Sequence, residues 1–292
     1  MKFKPWLAFA LVTTLFWGVW GAFTEIPVGN GFPATLIYVV WSLTMIVPAI
    51  IALAIINWKL DYSWKSIMYG SIIGFLGAGG QMALFAGAIS NGPAYLIFPI
   101  ISLSPVVTIM LSLVFLKEKA DKKGWAGIII ALIAIPLLSY QDPDGATKGL
   151  VWLIFALVVF FAWGLQAFFM KKANDMMKAE SIFFYMTVTG LLLAPIAWMM
   201  TDFSQPINWS FDGPGYSALI QMLNSIGALC IVYAFRYGKA IIVSPMTNAA
   251  APVITVLISL IIYSVIPHPV IIAGMVLAVA AAFLLAYEPD SN

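Results

Sequence analysis

Ten apolar runs of near-spanning length follow one another along the chain, and its charges stand almost entirely between them. An ionised side chain at membrane depth costs several kcal/mol, ~2.5 to 3.5 on insertion scales, so apolar runs end where charges begin. The runs cover approximately residues 6 to 25, 32 to 56, 66 to 89, 93 to 116, 124 to 140, 149 to 170, 181 to 200, 215 to 236, 239 to 263 and 268 to 287. The connectors are short; the longest, Thr201 to Pro214, holds Asp202, Pro206, Asp212, Gly213 and Pro214, which form turns rather than a domain. Strands of an outer-membrane barrel would alternate apolar and polar residues, whereas Ala126 to Leu138 is apolar on every side and reads as helix. The expected fold is therefore an all-α membrane protein with ten transmembrane helices. Met1-Lys2-Phe3-Lys4 before an apolar stretch mimics a signal peptide, but the stretch is long and no small-x-small site closes it, so it reads as an uncleaved first helix.

Composition removes whole classes of function. Of 292 residues 63% are hydrophobic and 9% charged, against about 25% charged in a soluble domain. A formal charge of +2, scattered along the chain, makes no basic face for nucleic acid. The lone Cys230 forms no intramolecular disulfide, and His268 is the single histidine, so redox, zinc and cysteine-protease chemistry fall away. No cofactor, metal site or catalytic residue is expected. The expected partners are a small-molecule substrate and the lipid bilayer; a homodimer is left open.

Counting Lys and Arg in alternate connectors gives orientation. Thirteen (Lys2, Lys4, Lys59, Lys65, Lys117, Lys119, Lys122, Lys123, Lys171, Lys172, Lys178, Arg236 and Lys239) fall on one side and only Lys148 on the other, whereas the acidic residues split seven to five. Both termini are expected to be cytoplasmic, in a cell (inner or plasma) membrane.

An internal repeat runs at an offset near 146 residues. Trp17-Gly18 falls on Trp163-Gly164, and Gly92-x-Ala94 followed by Pro99 falls on Gly238-x-Ala240 followed by Pro245. With one inserted residue the offset becomes 147, and Pro105, Thr108, Ser112 and Gly127 fall on Pro252, Thr255, Ser259 and Gly274. The halves, residues 1–145 and 146–292, would each hold five helices. That odd number makes the repeats inverted, an arrangement typical of secondary transporters with a site at the midplane between the halves.

Ten spans in two halves, Phe16-Trp17-Gly18 in the first helix, Gly92-Pro93-Ala94 before the fourth, Pro105 within it and Leu116-Lys117-Glu118 before Gly127 together resemble the drug/metabolite transporter superfamily, EamA type. The resemblance covers nearly the whole chain and implies small-molecule transport through a central cavity. Two departures stand out: Tyr38 to Trp41 occupies the stretch of the second helix where relatives often carry an Arg, and Val265 stands at the offset from Glu118. Substrates bound through those charges are not implied.

Candidate site residues follow from spacing and polarity. Thr13, Trp17, Trp20 and Thr24 share one helix face, and Trp17, Trp20 and Thr24 fall in the repeat on Trp163, Gln166 and Met170. The functional reading is two symmetry-related faces with aromatic walls; the bland one is interface anchoring or packing. Gln81, Gln221, Asn224, Ser225 and Asn248, with Ser244 and Thr247 around Pro245, are neutral polar groups at membrane depth that require a partner helix or a wet cavity. Tyr38, Tyr95, Tyr185 and Tyr233 offer hydroxyls to a site or to the interface. Gly70, Gly74, Gly77, Gly79 and Gly80 read as a close-packing stripe. Glu25 is the candidate for coupling, against a plain loop role. The reading is a transporter of a small polar or aromatic metabolite (amino-acid-, nucleobase-, sugar- or drug-like) by alternating access; an intramembrane enzyme and a channel-like facilitator are the rivals.

Overall fold

The computed structural model describes residues 4–24, 26–84, 100–138, 140, 151–263 and 268–287, and among them the regular structure is entirely helical. The elements are α1 (Pro5–Phe23), a single turn α2 (Ile26–Gly29), α3 (Ala34–Thr44), α4 (Ile46–Ile55), α5 (Trp64–Met82), α6 (Pro105–Leu111) running into a π-helical turn Ser112–Leu116, α7 (Lys122–Leu138), α8 (Val151–Asn174), α9 (Ala179–Met199), α10 (Tyr216–Tyr237), α11 (Ala240–Tyr263) and α12 (Pro269–Ala286). Seven stretches are long and apolar enough to cross a membrane: Pro5–Gly29, Ala34–Ile55, Val151–Asn174, Ala179–Met199, Phe211–Tyr237, Ala240–Ile258 and Pro269–Ala286. Lys65, Gln81 and the glycine stripe make Trp64–Met82 less apolar, Lys122–Leu138 is 17 residues long, and Ile100–Leu116 is a shorter apolar helix.

Helix starts and breaks have local causes. Ser63 accepts from Ser66 N at 3.1 Å to cap α5, and Asp121 Oδ1 accepts from Gly124 N at 2.7 Å at the start of α7. His268, the lone histidine, caps α12 by accepting from Val270 N at 3.2 Å. The expected span over residues 32 to 56 is found as one apolar stretch, Ala34–Ile55, within which the regular helix is interrupted between α3 and α4 at Met45. Pro48 lacks the N–H that would reach the Thr44 carbonyl, so the ladder fails there. Pro245 and Pro252 similarly interrupt hydrogen bonding inside α11, which nevertheless continues through both.

The packing pairs helices from the two ends of the chain. α1 lies against α10 and α11, α6 and α5 lie against α8, α3 packs with α9 and α10, and α7 packs with α12. Two of these crossings are built alike. The Thr255 hydroxyl of α11 donates to Gly18 O of α1 at 2.9 Å, and the Thr108 hydroxyl of α6 donates to Gly164 O of α8 at 3.0 Å. A Cβ on Gly18 would stand 2.5 Å from Ile254 Cβ, and one on Gly164 would stand 2.5 Å from Val107 Cβ. Small residues let the backbones approach, and the exposed glycine carbonyl then becomes a hydroxyl acceptor. The two crossings are repeat equivalents: Gly18 and Gly164 lie 146 residues apart and Thr108 and Thr255 147, the offsets read from the sequence.

The main core includes Ala179, Ile182 and Phe183 at the start of α9 and Ala240, Ile241 and Val243 at the start of α11, all fully buried. Gly164→Ala should lower stability by about 1–3 kcal/mol, because its Cβ has no space beside Val107. The measurement is thermal unfolding in detergent, where an unchanged midpoint would contradict the close crossing.

Candidate functional site

A cavity of about 310 Å³ lies between α1, α3, α5, α8, α10 and α11. Its wall, among the described residues, holds four tryptophans, Trp17, Trp20, Trp41 and Trp163, together with neutral polar groups and methionines, and no charged side chain. The tryptophans are held by different means. Trp17 Nε1–H donates to Asn224 O at 3.3 Å, and Trp20 Nε1–H donates to Gln221 Oε1 at 3.1 Å. Both N–H groups are thereby turned into α10, so each indole presents mainly carbon surface to the cavity. Trp17 seats on Gly227 and Trp163 on Gly80: a Cβ at those glycines would lie 2.5 Å and 2.6 Å from the nearest indole atom. The two contacts are repeat equivalents, with Trp17 and Trp163 146 residues apart and Gly80 and Gly227 147. Trp41 differs, since its Nε1 is buried and has no hydrogen-bond partner.

The candidates read from the sequence sort into three groups. Trp17, Trp20, Gln81, Trp163, Gln166, Asn224 and Asn248 all line the cavity. Gln221 is buried behind the wall and anchors Trp20, and Tyr38 is 2% exposed, tilted against Trp41 at 5.2 Å between ring centroids, and does not line the cavity. In this structure both stand behind the wall, Gln221 bonded to Trp20 and Tyr38 packed beside Trp41. Tyr95 and the coupling candidate Glu25 lie outside the described residues.

The amides differ in how much is left for a ligand. Asn248 Nδ2–H donates to Ser244 O at 2.9 Å, so its oxygen remains for the cavity. The Gln166 amide lies over Gly77, where a Cβ would come within 2.0 Å of Nε2. Sequence reasoning did not single out Trp41, Met45, Ser102, Ser104 or Met186 as site residues, although all line the cavity; Met170, the repeat counterpart of Thr24, lines it as well. Trp41 sits three residues after Tyr38 on one helical face, which was the available signal; the others are ordinary core residue types. The expected glycine stripe does pack closely, Gly70 against Tyr185 and Gly74 against Thr189, while Gly79 meets only Phe75 of its own helix. Among the described residues no cluster of His, Cys, Asp or Glu is assembled to hold a metal ion.

With this geometry in place, comparison with known proteins is informative. The EamA-like transporter family matches residues 4–140 and again residues 150–287. The chain belongs to the EamA-like transporter family. It is thus a multi-pass membrane protein of a transporter family. Among curated relatives, this EamA-like chain is 22% identical to Protein LicB of Haemophilus influenzae over 209 residues, 63% of this chain and 69% of that one. It is 33% identical to an uncharacterized protein of Methanocaldococcus jannaschii over 78 residues, 27% of this chain and 56% of that protein's length. A solved crystal structure of a protein 16% identical superposes with a TM-score of 0.78 over 96% of this chain and 95% of the other, which shows a shared fold.

Gln221→Leu should cost ~1–3 kcal/mol of stability, because it strands the Trp20 N–H inside the protein. The double variant with Trp20→Phe should recover part of that loss, since the stranded donor is gone. Thermal unfolding of the two singles and the double checks this, and strictly additive losses would dissolve the pairing.

Proposed function

We propose that this EamA-like protein is a secondary transporter that moves a small organic solute by alternating access through the tryptophan-walled cavity. The observation that carries the reading is the lining itself: among the described residues, four indoles, neutral amides and hydroxyls, and no charged side chain. A strongly hydrated anion or inorganic cation would lose its water there without gaining a counter-charge, at a cost of several kcal/mol. An anionic metabolite therefore fits poorly.

Within that reading the best-fitting head group is a weakly hydrated organic cation of the quaternary-ammonium class. Such an ion has no N–H to satisfy, and indole is the ring that binds it best, at ~2 kcal/mol when desolvated. Donation by Trp17 and Trp20 to protein oxygens leaves their carbon surfaces to do this. A neutral planar solute is the second reading, favoured by the amides of Gln81, Gln166 and Asn248 in the same wall.

The finer architecture belongs to the same proposal. Ten spans in two inverted halves, residues 1–145 and 146–292, with both termini cytoplasmic in the cell membrane, are supported by the doubled family match, the paired Thr–Gly crossings and the thirteen-to-one partition of basic residues.

The test is a thermal-stabilisation screen of the purified protein with quaternary amino alcohols, aromatic amino acids, nucleobases and sugars, followed by flux in proteoliposomes. Stabilisation and flux with a quaternary ammonium compound are expected, and Trp17→Ala or Trp163→Ala should weaken that binding about tenfold or more, the share of one indole in a desolvated cation–π contact. Response to a neutral planar solute alone would select the second reading. No flux with any compound across the panel would overturn transport.

A further inference from the structure

Both ends of the cavity are not alike. Near one end its lining residues are buried: Phe235 is 2% exposed, Met170 3%, Ser244 4% and Ile231 4%. Toward the other end Trp20, Gly21, Gln81 and Asn248 are only partly buried. The closed end is the one nearer the start of α11, where Ser244 lies, and the buried start of α9 belongs to the same core cluster as Phe235 and Met170.

Two loops of the first half of the chain reach across to those helix starts in the same way. After α4, Asp61 Oδ2 accepts from Lys178 N at 2.8 Å and from the Ser181 hydroxyl at 3.0 Å, at the first turn of α9. The Tyr185 hydroxyl donates to Asp61 O at 2.7 Å, and Lys178 Nζ donates to Lys59 O at 2.9 Å. Before α7, Glu118 Oε1 and Oε2 accept from Ala240 N at 3.0 Å and Ile241 N at 3.1 Å, at the first turn of α11, and Lys239 Nζ donates to Lys119 O at 2.8 Å. Each carboxylate satisfies backbone donors that the receiving helix cannot satisfy itself, and it sits at the positive end of that helix. Each loop also needs left-handed backbone in non-glycine residues, Asn57 and Trp58 (φ 52° and 58°) before Asp61 and Lys117 (φ 54°) before Glu118.

We infer that Asp61 and Glu118 are paired carboxylate latches that hold the cavity shut at this end, and that opening here requires both helix starts to be released. The inference rests on the alternating-access reading above. The helices held are the ones that must move: α11 carries Ser244, Thr247 and Asn248 of the cavity wall, and α9 carries Met186. A helix cap that only stabilised its own helix would come from the residue just before it. Here both come from loops more than 100 residues away in sequence, Asp61 to Lys178 and Glu118 to Ala240. Burial pushes the Glu118 carboxyl above the ordinary range, and the Ala240 and Ile241 N–H groups, Lys171 and Lys239 pull it back, as expected for a dehydrated group held at a seam.

The test reads access directly. In a Cys230→Ser background, Ser244→Cys places a single thiol at the shut end of the cavity, and its labelling rate by a hydrophilic maleimide is measured together with thermal unfolding. Asp61→Asn and Glu118→Gln should each accelerate labelling, and the double variant should do so about tenfold, the shift that loss of one charge-assisted hydrogen bond brings. If either variant fails to fold, Ser181→Ala and Ala240→Pro remove one donor from each latch instead, the latter at a first helical position that tolerates proline. Unchanged labelling in the doubly unlatched protein, with or without a drop in melting temperature, overturns the latch. Because labelling needs no substrate, faster labelling without flux upholds the latch while sinking the transport reading, and flux with unchanged labelling does the reverse.

Discussion

Everything around the cavity depends on how closely two pairs of helices cross. At Gly18 and Gly164 there is no side chain to hold the backbones apart, so α11 and α6 come near enough for a threonine hydroxyl to reach a glycine carbonyl. In hydrocarbon no hydrophobic force drives helices together, so close packing and such interhelical bonds must supply the association. The residue before each glycine is a tryptophan, Trp17 or Trp163. Fixing the crossing therefore fixes where two of the four indoles stand, and the space left between them becomes the cavity.

Much of this was legible in the sequence because membranes impose coarse rules. Apolar runs closed by charge lead to helices such as Val151–Asn174 and Ala179–Met199 near their expected places. The shared face of Trp17 and Trp20 holds as well, since both line the cavity. What escaped has physical causes. The break at Met45 arises from a missing N–H three residues later, in a run that hydropathy treats as uniform. Tyr38 and Gln221 look as polar and as deep as the lining residues, but the helix rotation that turns them into packing is set by neighbours, not by their own residue type. Met186 and Met45 carry no sequence mark that separates a cavity wall from a core.

Charge in this protein is spent at the ends of helices and kept out of the middle. Asp61, Glu118 and Asp121 all serve backbone donors at helix starts, and Glu180 accepts the Tyr233 hydroxyl at 2.6 Å near the same end of the bundle. A small number of acidic residues can thus organise loops that would otherwise leave N–H groups unpaired. The lumen is left to aromatic and amide groups.

The anchoring of Trp17 and Trp20 by Asn224 O and Gln221 has a consequence for how such a protein diversifies. The bonds that hold the wall point outward into the bundle, while Gln81, Gln166 and the oxygen of Asn248 project inward. Scaffold and specificity are therefore borne by different atoms. Under the proposed transport reading, exchanges at positions 81 and 248 would alter the cavity wall without touching the bonds that anchor the two indoles.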